Sequence, residues 1–169
     1  MIHLLKNGGR AGIVLPDGSL TGEGVKQRVR KKLLEECNLH TIIRLPNSVF
    51  QPYATVATNL LFFIKGTPTK EVWYYEHRLP EGQKSYSKTK PIRLEEFNPI
   101  REWWNDRKEN NVAWKVDIKT IIDRGYDLDI KNPIKQEEEY EYTSAELIDI
   151  LEKSLQESND LLKQLKSEL

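Results

Sequence analysis

The sequence predicts an α/β fold whose sheet is built around a strand, helix, strand unit. Three observations predict it. Residues 10–15 (RAGIVL) form a short apolar run between glycines and Pro16-Asp17-Gly18. Residues 23–36 carry Val25, Val29, Leu33 and Leu34 at helical spacing. Residues 41–65 then hold two more apolar runs rich in β-branched and aromatic residues. At 169 residues the chain is long enough to bury a core as one domain of ordinary size, with room for an appended element.

Taken in order, residues 1–7 read as the last turns of a helix, with Ile2, Leu4 and Leu5 apolar and Gly8-Gly9 as the stop. Met1 then falls inside an element, which implies an artificial start or the back portion of a longer protein. Residues 10–15 read as a fully buried central strand ending in a turn. Ser19 or Thr21 offers the cap of the helix that follows. Gly22-Glu23-Gly24 lacks the spacing of a phosphate-binding fingerprint and reads as a flexible helix entry. A crossover of this kind sets its strands parallel, with ligands outside their carboxyl ends, the edge where Asp17 and Phe50 are expected.

Residues 41–45 and 55–64 are the next strands. Between them Pro46, Asn47, Ser48, Gln51 and Pro52 force a loop that sets Val49, Phe50 and Tyr53 in polar surroundings. Residues 71–77 alternate as another strand, and residues 78–91, polar with two prolines, read as an exposed loop. Phe97, Ile100, Trp103 and Trp104 suggest a helix over 94–108, residues 114–122 are mixed, and Gly125-Tyr126-Asp127-Leu128 is a turn. Residues 136–142 are an acidic linker, after which Thr143 caps a helix running to Leu169.

Composition excludes several classes. There is no run of about 18 apolar residues and no signal-peptide pattern, so the expectation is a cytoplasmic protein with no membrane contact. A lone Cys37 rules out an internal disulfide and a Cys-rich zinc site, and His3, His40 and His77 have no ligand spacing, so no metal is expected. Cys37 itself reads as a small buried apolar residue. Charge is uneven: residues 1–70 carry ten Lys/Arg against four Asp/Glu, and residues 71–169 carry sixteen against twenty-two. A basic front facing a polyanion and an ordinary solvated surface both fit that pattern.

The segments GGRAGIVLPDGSL, IIRLPNSVFQPYATVATNLLFFIKG and RGYDLDIKNP, in this order, resemble the back half of the DNA-methylating subunit of type I restriction-modification systems. The resemblance covers roughly residues 4–133. It implies the back half of a Rossmann-like sheet from an S-adenosylmethionine-dependent methyltransferase, with a C-terminal helical extension. It divides the chain into residues 1–77 of the α/β domain, a mixed extension over 78–135, the linker 136–142 and the helix 143–169. The implied activity is methyl transfer from S-adenosylmethionine to the exocyclic amine of an adenine flipped out of DNA. The family's glycine-rich cofactor loop and its Asn-Pro-Pro-aromatic motif do not occur in this chain. Asn98-Pro99 and Asn132-Pro133 are each followed by Ile. No catalytic or cofactor-binding residue is therefore expected here, and the chain alone is expected to be inactive.

The resemblance makes Phe50, with Tyr53 and Asp17, the candidate wall of the target-base pocket, because an aromatic recovers stacking that a flipped base loses. Phe50 also suits a plug over the strand ends, and Asp17 suits a residue that orders its own turn. Lys26, Arg28, Arg30, Lys31 and Lys32 are candidate DNA-backbone contacts or a solvated helix face. Trp103, Trp104 and Trp114 read as core anchors or subunit contacts. Leu147, Leu151, Leu155, Leu162, Leu165 and Leu169 line one side of the last helix. That seam fits packing on its own domain, self-association, or docking on the specificity subunit implied by the resemblance. Specificity and restriction subunits and DNA are thus the expected partners, and a noncatalytic docking or DNA-binding module is the alternative.

Overall fold

Strand β3 (Thr58–Lys65) has both of its edges occupied: β1 (Arg10–Pro16) and β2 (Cys37–Leu45) pair with it antiparallel, one on each side. Its sequence TNLLFFIK directs apolar residues to both faces of the sheet, as a strand packed on both sides requires. β4 (Glu71–Glu76) lies parallel to β2, and β5 (Ala113–Asp117) closes the sheet antiparallel to β4, giving the order β1-β3-β2-β4-β5. The computed structural model describes residues 2–133 and 144–168, which divide into the units Met1–Lys135 and Gln136–Leu169.

Because β1 and β2 both oppose β3, they run parallel to each other, as a helical crossover requires, but with β3 inserted between them. The expectation of a buried central β1 is therefore corrected. β1 stands at an edge of the described sheet and alternates, with Ala11, Ile13 and Leu15 against the core and Val14 51% exposed. A short apolar run cannot reveal an edge position, because its pairing partner lies far along the chain. At the amino end, Ile2–Leu4 form a single 3-10 turn rather than α-helix. Lys65 Nζ donates to the carbonyls of Ile2 and Leu5 at 3.0 and 2.9 Å, and Gly8, at φ +78, turns the chain into β1.

A short helix α1 (Asp17–Leu20) leads to α2 (Val25–Glu36), which crosses one face of the sheet. α2 starts after Gly24, with no side-chain cap from Ser19 or Thr21. Its phase also differs from the expectation. Leu33 and Leu34 are buried, each worth about 1.5–3 kcal/mol of transfer free energy, but Val25 and Val29 are 66% and 57% exposed and Arg30 points inward. Here a set of carbonyl partners overrides the apolar spacing. Leu20, Leu39, Ile42, Leu61 and Trp114 complete this face, where Tyr74 and Trp114 stack at 5.3 Å and Cys37 is fully buried.

On the other face, a 3-10 turn (Leu94–Phe97) runs into α3 (Asn98–Asn105), which sets Ile100 and Trp103 against Ile43, Leu45 and Tyr75. Trp103 and Trp114 are buried and Trp104 half-buried, so the tryptophans are core anchors. The segment before Leu94 is not simply an exposed loop, since Tyr86 is only 1% exposed. Helix α4 (Ile118–Asp123), capped by Asp117, ends at the turn containing Gly125 and Tyr126, both at positive φ. Helix α5 (Ser144–Glu168) makes the second unit. Thr143, Leu169 and the linker 136–142 lie outside the described residues, as does the side chain of Leu165.

Candidate functional site

The strand directions gather the carboxyl ends of β1, β2 and β4 on one edge, with the start of β3 among them: Thr58 is paired with both Pro16 and Leu45. Asp17, the loop 46–57 and His77 therefore share this edge. The Asp17 amide donates to the Ala57 carbonyl at 3.0 Å, closing the loop onto α1. Asp17 Oδ1 accepts from Asn59 Nδ2 at 2.6 Å, while Oδ2 lies 3.8 Å from Arg44. The same guanidinium donates to Asp129 Oδ1 at 2.5 Å and to the Ile130 carbonyl at 3.2 Å. Asp17 thus orders the strand ends, and its carboxylate is part of an Asn59–Asp17–Arg44–Asp129 network.

Phe50 is 44% exposed and Tyr53 89% exposed, so neither fills the core. The loop turns its other side inward: Val49 packs on the second face and Ser48 is 2% exposed. Ser48 Oγ accepts from the Tyr86 backbone N–H at 2.9 Å. The Tyr86 hydroxyl donates in turn to Glu96 and lies 3.0 Å from His77 Nε2, with His77 stacked on Phe97 at 5.2 Å. A cavity of about 320 Å³ borders this cluster, lined in part by Tyr75, His77, Glu95, Glu96 and Pro99. Burial holds His77 below the usual imidazole pKa against the opposing pull of Glu96, and burial and then Glu96 push the Tyr86 phenol up. Sequence reasoning misses His77, Tyr86 and Glu96 as site residues. Only the position of His77 just after a strand hints at one of them.

The basic helix divides. Lys26, Arg28, Lys31 and Lys32 are exposed. Lys26 Nζ donates to the Gly18 carbonyl at 2.7 Å, and Lys31 and Lys32 pair with Glu35 and Glu36 one turn on, at 3.8 and 3.6 Å. Arg30 is corrected: at 4% exposure it cannot meet a DNA backbone. Its guanidinium donates to the carbonyls of Tyr126, Thr21, Ser19 and Gly22, and burial lowers its pKa against the opposing effect of Asp127.

That clamp also tests whether these residues suit an S-adenosylmethionine site. Gly22 and Gly24 adopt φ +88 and +71, but the carbonyls of this turn converge on Arg30, the reverse of an anion-binding nest of N–H groups. Asp17, the acidic side chain at the strand ends, is engaged with Asn59 and Arg44. Neither that turn nor Asp17 forms a cradle for that cofactor. Among them, no group of three His, Cys, Asp or Glu is placed to hold a metal ion, and no helix is long and apolar enough to cross a membrane.

In α5, Leu147, Leu151, Leu155 and Leu162 are 42–62% exposed, as are the neighbouring Ile148 and Ile150 at 56% and 47%. Ser158 interrupts the seam and turns its hydroxyl back to the Ser154 carbonyl at 2.8 Å.

Comparison with known proteins gives the family. The model of the N-6 DNA methylase family matches residues 1–142. The type I restriction enzyme EcoEI methylase subunit of Escherichia coli is 58% identical over 144 residues, covering 81% of this chain and 29% of that relative. A chain from the solved assembly of a type I restriction-modification system superposes with a TM-score of 0.74 at 35% identity, covering 95% of this chain and 36% of its own. The crystal structure of the type I restriction enzyme EcoKI M protein gives a TM-score of 0.65 at 27% identity, covering 97% of this chain and 42% of its own. The chain spans about three tenths of the length of the EcoEI subunit it matches. Its mixed five-stranded α/β sheet is that of these methyltransferase-like neighbours, and the chain belongs to the N-6 DNA methylase family, as a partial match to the methylase subunits of type I restriction-modification systems.

Proposed function

We propose that the chain supplies the target-base side of an adenine-N6 DNA methyltransferase in a type I restriction-modification system. One observation carries this reading: a loop at the carboxyl edge of the sheet, tied to Tyr86 at one end and to Asp17 at the other, presents Phe50 half-exposed and Tyr53 almost fully to the outside. Phe50 stacks on the extruded adenine, Tyr53 flanks it, and Asp17 holds the loop closed through Ala57. The groups that bind S-adenosylmethionine and hold the target amine belong to the part of the full-length subunit that this chain does not span. Lys26, Arg28, Lys31 and Lys32 face DNA phosphates, α5 docks on the specificity subunit or on a second copy, and the restriction subunit completes the assembly. The assembly works in the cytoplasm.

Two measurements test it. By calorimetry the isolated chain is expected to show no saturable S-adenosylmethionine binding, and in a transfer assay it is expected to move no methyl group to DNA; saturable binding or transfer above background overturns this. In the full-length subunit, Phe50→Ala weakens capture of the flipped base by about 1–3 kcal/mol, read from 2-aminopurine fluorescence at the target position, with cofactor affinity unchanged. An unaltered flipping signal returns Phe50 to a purely structural role. The exposed leucine seam of α5 favours a second reading, a noncatalytic docking module, and normal subunit assembly without any flipping signal selects it.

A further inference from the structure

We propose that Tyr86 is a positioning residue for the aromatic loop: His77 and Glu96 hold its hydroxyl, and its backbone N–H holds Ser48, two residues from Phe50. This rests on the reading of Phe50 as a wall of the base pocket and names what keeps that wall in place.

The hydrogen bonds inside the loop are all short-range. Val49 N–H donates to the Pro46 carbonyl at 3.3 Å and Gln51 N–H to that of Ser48 at 3.0 Å, while Tyr53 and Ala54 N–H share that of Phe50 at 2.9 and 3.0 Å. Such bonds shape a turn without fixing it to the sheet. Attachment comes from Asp17 N–H to the Ala57 carbonyl at the far end and from Tyr86 N–H to Ser48 Oγ at the near end, the latter shielded from water at 2% exposure of Ser48. Tyr86 itself sits in a segment with no helix or strand, which alone would hold it loosely.

Its hydroxyl supplies the missing rigidity. Glu96 accepts the phenolic proton from within the 3-10 turn, where its other oxygen accepts from the Arg93 N–H at 2.8 Å. With that proton committed, a neutral His77 donates Nε2–H to the phenolic oxygen at 3.0 Å. His77 is anchored by its own N–H to the Arg44 carbonyl at 2.9 Å, on β2. A continuous connection therefore runs from the sheet through His77, Tyr86 and Ser48 to the loop that bears Phe50.

Amide hydrogen exchange on the 169-residue chain tests this tie without any DNA. Ser48→Ala, which removes the acceptor, is expected to speed exchange at the Gln51, Tyr53 and Ala54 amides about fivefold, with β2 and β3 amides unchanged. Tyr86→Phe, which keeps the N–H but loses the hydroxyl, does the same. Unchanged loop exchange in Ser48→Ala overturns the proposal, and so does equal acceleration throughout the sheet, which marks general destabilisation. In the full-length subunit Ser48→Ala also lowers the 2-aminopurine signal while the melting temperature holds. Because the exchange readout needs no base, failure of the Phe50→Ala experiment sinks the base-wall reading alone, and failure of the exchange experiment sinks the tie.

Discussion

Arg30 Nε donates to the Tyr126 carbonyl over 2.6 Å, joining the basic helix to a turn ninety-six residues further on. The remaining guanidinium nitrogens reach Ser19, Thr21 and Gly22, so one side chain closes the junction between α1, α2 and the turn after α4. Arg30→Ala leaves several buried carbonyls without a donor and is expected to cost about 3 kcal/mol in stability by urea denaturation. Arg30→Lys recovers only part of that, because an ammonium cannot span the same fork of acceptors. A loss below about 0.5 kcal/mol, the usual range of an exposed site, would show that the clamp is dispensable.

The exposed part of the same helix makes a different prediction. Replacing Lys26, Arg28, Lys31 and Lys32 together with glutamine in the full-length subunit should leave stability nearly unchanged, since their pairs with Glu35 and Glu36 are surface ion pairs. If these residues meet phosphates, the slope of log K against log salt becomes shallower by about 0.9 for each phosphate that is no longer neutralised. Titrations over a range of salt concentrations check it, and an unchanged slope assigns the four to solvent.

Acid should destabilise the first unit through two histidines, one half-buried and one buried. Burial, helped by Arg107, pulls the His40 pKa down to about 4, and burial also depresses that of His77. In the unfolded chain both titrate near 6.5, so between about pH 6.5 and 4 the unfolded state binds more protons than the folded one. Stability is therefore fully present above about pH 6.5 and declines as pH falls toward 4. Melting temperatures measured between about pH 7.5 and 5 should drop, and His40→Gln should flatten part of that slope. A melting temperature that rises on acidification contradicts the assignment.

For α5, Leu151→Asp with Leu162→Asp places two carboxylates in the exposed seam. The expected outcome is loss of assembly with the specificity subunit in the full-length protein, while the melting temperature of the sheet unit barely moves. Sedimentation and thermal melts distinguish the cases. Retained assembly, or a large drop in melting temperature, would mean that the seam packs within its own domain.

The elements most legible in the sequence are those whose local pattern and burial agree. Strand β3 shows as a continuous apolar run because both faces are covered, and the turn after α4 shows because Gly125 suits positive φ. The apolar run alone starts β2 at residue 41, whereas the strand begins at Cys37: Asn38 and His40 alternate with buried Cys37 and Leu39 right after a helix, which hides the change of period. The phase of α2 is obscured because Arg30 takes a core position by hydrogen bonding, which apolar spacing cannot report. Strand direction alone places Asp17 and Phe50 at the edge formed by the carboxyl ends of β1 and β2, which is where the structure has them. His77, Tyr86 and Glu96 are not legible, because nothing in a polar, proline-flanked stretch indicates that a tyrosine folds back onto a serine thirty-eight residues earlier.

The position of β1 bears on how the chain behaves at the bench. Among the described residues its outer edge has no neighbouring strand, and seven residues of backbone there alternate between half-buried and exposed. Open edges of this kind template the addition of further strands from other molecules, and aggregation is the usual result. Pro16 withholds one N–H at the end of the edge and Arg10 places a positive charge at its start, two of the devices that blunt such growth. Between them, Gly12 and the exposed Val14 offer no such obstacle. Concentrated stocks of the isolated chain should therefore gain cross-β signal in thioflavin fluorescence over time, and Val14→Lys should delay it.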